Sequence, residues 1–444
     1  MQGPKLSVAG DSVLGMGSVD AIADEVTAEL AVVLARFTAL ATAPDDGAGD
    51  VADAVRVDRI ALLEQIKAAV AAAQYTQMVA FARSQVDAQI AEGTLDAKAV
   101  GRGIGDQIAL ACRISPFTGS RRLGVGRALH AELPGVGGLL AAGRISDEVA
   151  AQVVTETSHL DPDQRRRVDA RLCAGGLEQL STRQAGALAR RCAYAADPAG
   201  YVNRGRTARG DRRVTLRPAP DTMSLLTGFL PVEQGVACLA ALRRHTDALI
   251  ATGDPRGRGQ IMADTLVERL TGQSRAGDVN VEVGIVMTVN ALAGGSDDGC
   301  AEVVGHGPLP TGIAKDLLHN TLGKKWWRRL FTAPEGGPLI GADPRRRAFD
   351  GVLAGLIAVR DGGRCRDLFC DAPIRHVDHV RPYGAGGPTS LANGRGVCAR
   401  GNYVRELPGW HVELIDDGLH HRPHTVRTTT PTGHTYTSRA GPAP

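Results

Sequence analysis

Residues 365–410 read CRDLFCDAPIRHVDHVRPYGAGGPTSLANGRGVCARGNYVRELPGW. An Asp-His pair, Asp378 and His379, is followed by a Gly-rich loop (YGAGGPTS, 383–390), then by Asn393 and Asn402. Three of the chain's eight cysteines, Cys365, Cys370 and Cys398, fall in the same stretch. HVDHV predicts a short strand, GRGVC a second strand antiparallel to it, and ARGNYVREL a helix. Thirteen residues separate His379 from Asn393, enough for a wide loop between the strands. The glycines at 384, 386 and 387 permit its tight path. A hairpin followed by a short helix is therefore the element around which the chain is read.

An Asp-His pair alone is ordinarily a surface salt-bridge element. With these spacings it becomes a candidate site for phosphodiester hydrolysis, which needs a deprotonated water and stabilisation of the developing negative charge. One divalent cation and one fixed histidine can supply both. Adjacent strand residues point to opposite faces, but the chain can bend at a strand's end, so one side chain can face a cation and its neighbour the water. Asn393 is placed to hydrogen-bond the loop and hold His379. Asn402, in the first turn of the helix, can offer a carbonyl oxygen to the cation opposite Asp378. Such oxygen ligands suit Mg2+ or Mn2+. Arg381, Arg395 and Arg400, interleaved with these residues, are the candidate DNA contacts.

The pattern D-H-V-x-P…G-G-x-T…N…C-x-x-x-N…G-W resembles the HNH nucleases and their ββα-metal fold. The longer chain, with its PTGHTYTSRA tail, resembles the actinobacterial DUF222/13E12-repeat proteins, in which a helical region precedes a C-terminal HNH module. The resemblance implies metal-dependent cleavage of double-stranded DNA, with His379 as general base, Asn393 as the loop-orienting residue, and Asp378 and Asn402 as metal ligands. There are two departures. Asn402 stands where a histidine is more frequent, which keeps an oxygen ligand. Cys365, Cys370 and Cys398 match the thiols of a structural zinc site, but Gly401 stands where the fourth ligand belongs. Structural zinc strongly prefers four ligands: either His376 or a water completes a Zn2+ site here, or the site is empty. The competing reading is a catalytically decayed module in a DNA-binding or scaffold protein.

The rest of the chain predicts an α+β protein: a helical N-terminal domain, a mixed α/β middle region and the C-terminal ββα module. Residues 1–17 are expected to be disordered and 18–205 helical. Apolar residues at Ile22, Val26, Leu30, Val33, Phe37 and Leu40 mark an amphipathic helix. A longer helix is expected from Asp53 to Ala91. Ser146 and Asp161-Pro162 read as helix starts, and Arg165–Arg167 as a solvated charge run. Residues 206–342 are mixed: a hairpin around the Pro/Asp turn of RRVTLRPAPDTMSLLTGFL, helices near 232–252 and from Gln260, a strand over 279–292, and weaker strands at 325–331 and 338–340. Residues 343–410 form a linker helix and the nuclease module, and 411–444 a strand-like tail with a disordered end. His420, His421, His424 and His434 read as scattered histidines of a polar tail. Trp326-Trp327, among basic neighbours, reads equally as base-stacking or core-facing.

Composition bounds the partners. The chain of 444 residues carries 51 Lys and Arg against 48 Asp and Glu. From His319 onward there are 18 basic against 11 acidic residues, a net of +7, leaving 33 against 37 before it. A basic C-terminal third suits a phosphate-backbone binder. With no secretory leader pattern and no apolar run of about 18 residues, a cytoplasmic protein without a membrane span is expected. Eight cysteines in this length make no disulfide framework. Cys112, Cys173, Cys192 and Cys238 read as buried thiols.

Overall fold

The computed structural model describes residues 25–42, 53–93, 98–276, 285–286, 300–303, 307–320, 349, 351–418 and 422–440. The expected strands at 325–331 and 338–340, most of the strand expected over 279–292, Trp326-Trp327, His420, His421 and both chain ends lie outside these residues. The chain is mostly helical with small antiparallel sheets toward its C-terminus. It divides into two compact units. The first joins Met1–Ala196 to Tyr403–Glu413 and Val426–Ser438; the second joins Asp197–Asn402 to Leu414–Thr425 and Arg439–Pro444.

The first unit begins with helix α1 (Glu25–Thr42) and the 40-residue α2 (Asp53–Glu92). Six shorter helices follow: α3 (Ile104–Cys112), α4 (Pro116–Ala131), α5 (Pro134–Ala141), α6 (Asp147–Glu156), α7 (Pro162–Ala174) and α8 (Thr182–Ala196). Ala68, Tyr75, Met78 and Ala82 put one stripe of α2 into the core, where Leu133, Val136, Leu140, Val153 and Leu172 are fully buried. Small residues set how closely the helices pack. A Cβ on Gly119 of α4 would lie 2.4 Å from the Gly105 carbonyl oxygen and 2.7 Å from the Ala109 Cβ on α3. The Ala/Gly-rich composition thus acts as a packing device.

The helix starts are capped as their sequences require. Ser146 accepts the Val149 N–H, and Asp161 with Gln164 forms a capping box at the start of α7. Asp169, within α7, accepts the Gly135 and Val136 amides at 2.7 and 2.9 Å and so caps α5. The C-terminal segments of this unit dock on α3: Thr432 Oγ1 donates to Gln107 Oε1 at 3.1 Å, and Trp410 is buried.

Burial overturns two expectations. Arg165 is not solvated: it is buried, donating to Thr157 Oγ1, the Val154 carbonyl and the Glu132 carboxylate. A charge run is solvated only on the side of the helix that faces water, and position 165 lies on the other. Cys238 is exposed, and Cys112, Cys173 and Cys192 are half-buried. The amphipathic pattern of α1 does form a helix, but Val26, Leu30, Val33 and Leu40 remain exposed.

The second unit holds α9 (Pro198–Ala208), the hairpin β1–β2 (Arg213–Pro218, Ser224–Phe229), α10 (Val232–Ala251) and α11 (Arg258–Thr271). The hairpin turns through Asp221 and Thr222, both with positive φ. A sheet of order β3-β4-β5 (Ile285–Val286, Cys300–Val303, Gly307–Pro310) packs against α12 (Thr311–Asn320) around Ala301, Leu309 and Ala314. Helix α13 (Gly351–Arg360) follows. It closes at Gly362 and Gly363, whose φ values are 63° and 69°. The hairpin β6–β7 (His376–His379, Gly394–Val397) and α14 (Ala399–Val404) come next. The last three strands form a sheet of order β10-β9-β8 (Thr435–Arg439, Thr425–Thr429, His411–Asp416), most of whose residues belong to the first unit. Among the described residues no helix is long and apolar enough to cross a membrane.

Candidate active site and metal centre

The expected hairpin and helix form, each strand ending one residue earlier than expected and the helix at Val404 rather than Leu407. β6 pairs antiparallel with β7, with Asp378 opposite Arg395 and His379 opposite Gly394. The Val380 amide donates to the Asn393 carbonyl at 2.8 Å and closes the loop. Asn393 is 4% exposed and braces that loop from inside. Its Oδ1 accepts the Arg381 amide at 2.8 Å, and its Nδ2 donates to the Arg381 and Pro388 carbonyls at 3.0 and 2.8 Å. A buried amide satisfied on both ends fixes the two chain segments against each other.

His379 stands at the end of β6, at the mouth of this loop. Its Nε2 lies 2.9 Å from the buried Thr389 hydroxyl. Its ring lies 4.4 Å from Phe349 and 5.7 Å from Tyr383, centroid to centroid. The Thr389 hydrogen bond and the two aromatic contacts restrain the orientation of the imidazole. Thr389, absent from the candidates read out of the sequence, sits in the G-G-x-T segment that the loop pattern quotes.

Asp378 is engaged by an unexpected partner. Arg395 Nε lies 3.2 Å from Asp378 Oδ2, and Arg395 Nη1 lies 2.7 Å from Asp367 Oδ1. Arg395 is 1% exposed. Burial works against its charge, but the Asp367 and Asp378 carboxylates outweigh it and hold the guanidinium pKa above its ordinary value. This overturns Arg395 as a DNA contact: the side chain is shut away from any phosphate and bridges two carboxylates. Arg381 is exposed, its Nε donating to the Ala385 carbonyl, and Arg400 is half-buried. Asn402 lies in α14, where its amide donates to the Cys398 carbonyl at 3.1 Å.

A second charged cluster supports β7. The Asp361 side chain is fully buried; it accepts the Gly396 amide at 2.7 Å and pairs with Arg360 Nε at 2.9 Å. Arg360 also donates to the Leu391 and Gly394 carbonyls, both at 2.7 Å. Arg366, pushed down to about 10 by burial, donates to the His424 carbonyl. His424 is therefore no polar-tail histidine. It is 1% exposed, its Nε2 is 2.9 Å from the Ala392 carbonyl, and burial lowers its pKa to about 4.

The three cysteines converge. Their Sγ atoms lie within 4.8 Å of one another, with Cys370 and Cys398 3.9 Å apart. All three are free thiols. Tetrahedral zinc with Zn–S near 2.3 Å puts its sulfurs about 3.8 Å apart, so the spacing fits. Hydrogen bonding among the thiols pushes Cys365 up and pulls Cys398 down. The Gly401 amide donates to Cys398 Sγ at 3.3 Å, which favours a thiolate there. The cluster could hold a metal such as zinc. His376, the candidate fourth ligand, is exposed at the start of β6 and is not part of the group.

A sequence profile described as "Domain of unknown function (DUF222)" matches residues 63–361, ending just before Cys365. No curated protein and no solved structure matches the chain.

Proposed function

The chain belongs to the DUF222 family, and from the hairpin-helix that follows the matched residues we propose that it is a metal-dependent HNH-type endonuclease acting on double-stranded DNA. The observation that carries the reading is His379: a histidine at a strand end, its ring clamped by Thr389, Phe349 and Tyr383, above a loop braced by Asn393. In this role His379 takes a proton from the attacking water, and Asn393 keeps the loop, and with it the imidazole, in register. Asp378 and Asn402 would hold Mg2+ or Mn2+ through oxygen, a donor set that suits either ion. Such a cation, when bound, neutralises charge at the scissile phosphate. Of the three candidate arginines, Arg381 and Arg400 are not buried and would meet the DNA backbone.

Incubating the full chain with supercoiled plasmid and Mg2+ or Mn2+, against a chelator control, tests the proposal. Cutting that requires the metal is expected; no cutting with either metal sinks it. One observation favours the second reading, a decayed module in a DNA-binding or scaffold protein: buried Arg395 already engages the Asp378 carboxylate that must hold the cation. On that reading plasmid is shifted in a gel but stays intact.

A further inference from the structure

We propose that Asp367 supplies the fourth ligand of the thiol site, in the place that Gly401 cannot fill, making it a centre of three cysteines and one aspartate. The proposal rests on reading Cys365, Cys370 and Cys398 as a zinc site. It is independent of nuclease activity.

The first observation is where the Asp367 carboxylate lies. A Cβ on Gly401 would be 1.9 Å from Asp367 Oδ2 and 3.6 Å from Cys365 Sγ. The space into which a ligand at position 401 would project is already taken by a carboxylate oxygen, and that space borders the thiols. The second is distance. Asp367 Oδ2 lies 3.6 Å from Cys365 Sγ. A tetrahedral zinc with sulfur at about 2.3 Å and oxygen at about 2.0–2.2 Å sets a sulfur–oxygen edge of about 3.5 Å. Asp367 does not belong to the group whose ligand atoms all lie within 4.8 Å of one another; its Oδ2 sits on the Cys365 side of the thiol triangle, so ligation requires a side-chain shift toward Cys370 and Cys398.

The third observation is how the carboxylate is held. Asp367 Oδ1 accepts Arg395 Nη1 at 2.7 Å, while Oδ2 faces the Cys365 thiol. A ligating carboxylate anchored through its other oxygen is the usual support around a metal. Charge agrees as well. Aspartate in place of a fourth thiolate preserves four negative ligands around the dication, and buried Arg395 offsets part of the excess. The chain is also economical: Asp367 lies in the turn between Cys365 and Cys370, where the Cys370 amide donates to the Asp367 carbonyl at 3.0 Å.

The test is metal binding by the chelator-stripped full chain. Co2+ absorption reports geometry and thiolate count, and competition with a chromophoric chelator reports zinc affinity. Wild type is expected to bind one ion per chain with a tetrahedral cobalt spectrum. Asp367→Ala is expected to lose more than about 100-fold in affinity, beyond the roughly 10–100-fold that an outer-shell partner contributes. Asp367→Cys covers the case in which the alanine variant does not fold. It is expected to bind cobalt tetrahedrally with sulfur charge-transfer absorption raised by about one third, four thiolates replacing three. Equal zinc affinity of wild type and Asp367→Ala overturns the proposal and leaves the thiol site standing. So does an Asp367→Cys spectrum with unchanged charge-transfer intensity. No binding by wild type overturns the thiol site itself, whatever becomes of the plasmid assay.

Discussion

Acid is expected to open the hairpin through one buried imidazole. His424 is 1% exposed, with Nε2 on the Ala392 carbonyl beside Asn393, and its pKa falls from 6.5 to about 4, first through burial and then through Arg360. Its backbone carbonyl receives Arg366, and Asp361 is the other charged group facing this cluster. A histidine that is harder to protonate in the fold than in the unfolded chain has a definite sign. Between pH 6.5 and about 4 the unfolded state binds more protons, so stability falls as pH falls through that window and is unaffected by this group above it. A shift of about 2.5 units corresponds to roughly 3 kcal/mol, or an open population raised about 100-fold or more. Hydrogen exchange of peptides covering 391–398 and 424–430, corrected for intrinsic exchange rates, measures this from pH 7 to pH 4. His424→Gln keeps a side-chain amide that can donate to the Ala392 carbonyl and removes the titration. Its opening free energy is expected to lose most of the pH dependence of wild type. Identical profiles for the two proteins would refute the assignment.

Replacing Arg395 by Met takes the shared counter-ion from Asp367 and Asp378. Breaking a buried pair in this way costs about 3–5 kcal/mol, read as faster exchange across 376–397; a loss near zero would remove Arg395 as the strut of the site. In the helical unit, Leu172→Ala empties a fully buried position on α7 and is expected to cost about 2–5 kcal/mol. Its chemical unfolding measures this, and exchange in 376–397 is expected to stay unchanged.

The local geometry of residues 376–404 was legible because it follows from spacing. Two short β-prone runs, a Gly-rich connection and an asparagine that must satisfy the loop backbone leave few alternatives, and Asn393 does hydrogen-bond that backbone. The partners of the charged residues were not legible. That Arg395 faces Asp378 depends on the strand register, which no single residue announces, and its burial reverses the role that a lone arginine suggests. Arg165 was misread for the same reason: it lies on the core side of α7, where Glu132 and Thr157 receive it. His424 looked like one of several tail histidines because its partners, Ala392 and Arg366, lie far back in the chain. Asp367 escaped notice because a thiol pattern directs attention to Cys and His at the fixed spacing, and the ligand chemistry at position 401 has moved to another segment. For α1 the helix was legible but what covers its apolar face was not, since Val26, Leu30 and Val33 stay exposed.

If His379 is the base of a phosphodiester hydrolysis, the rate of plasmid nicking at saturating Mn2+ must separate wild type from His379→Ala. A general base of this kind contributes about 10²–10⁴-fold, so the variant is expected to be slower by at least ~100-fold while still binding DNA. Equal rates for the two proteins would contradict the account.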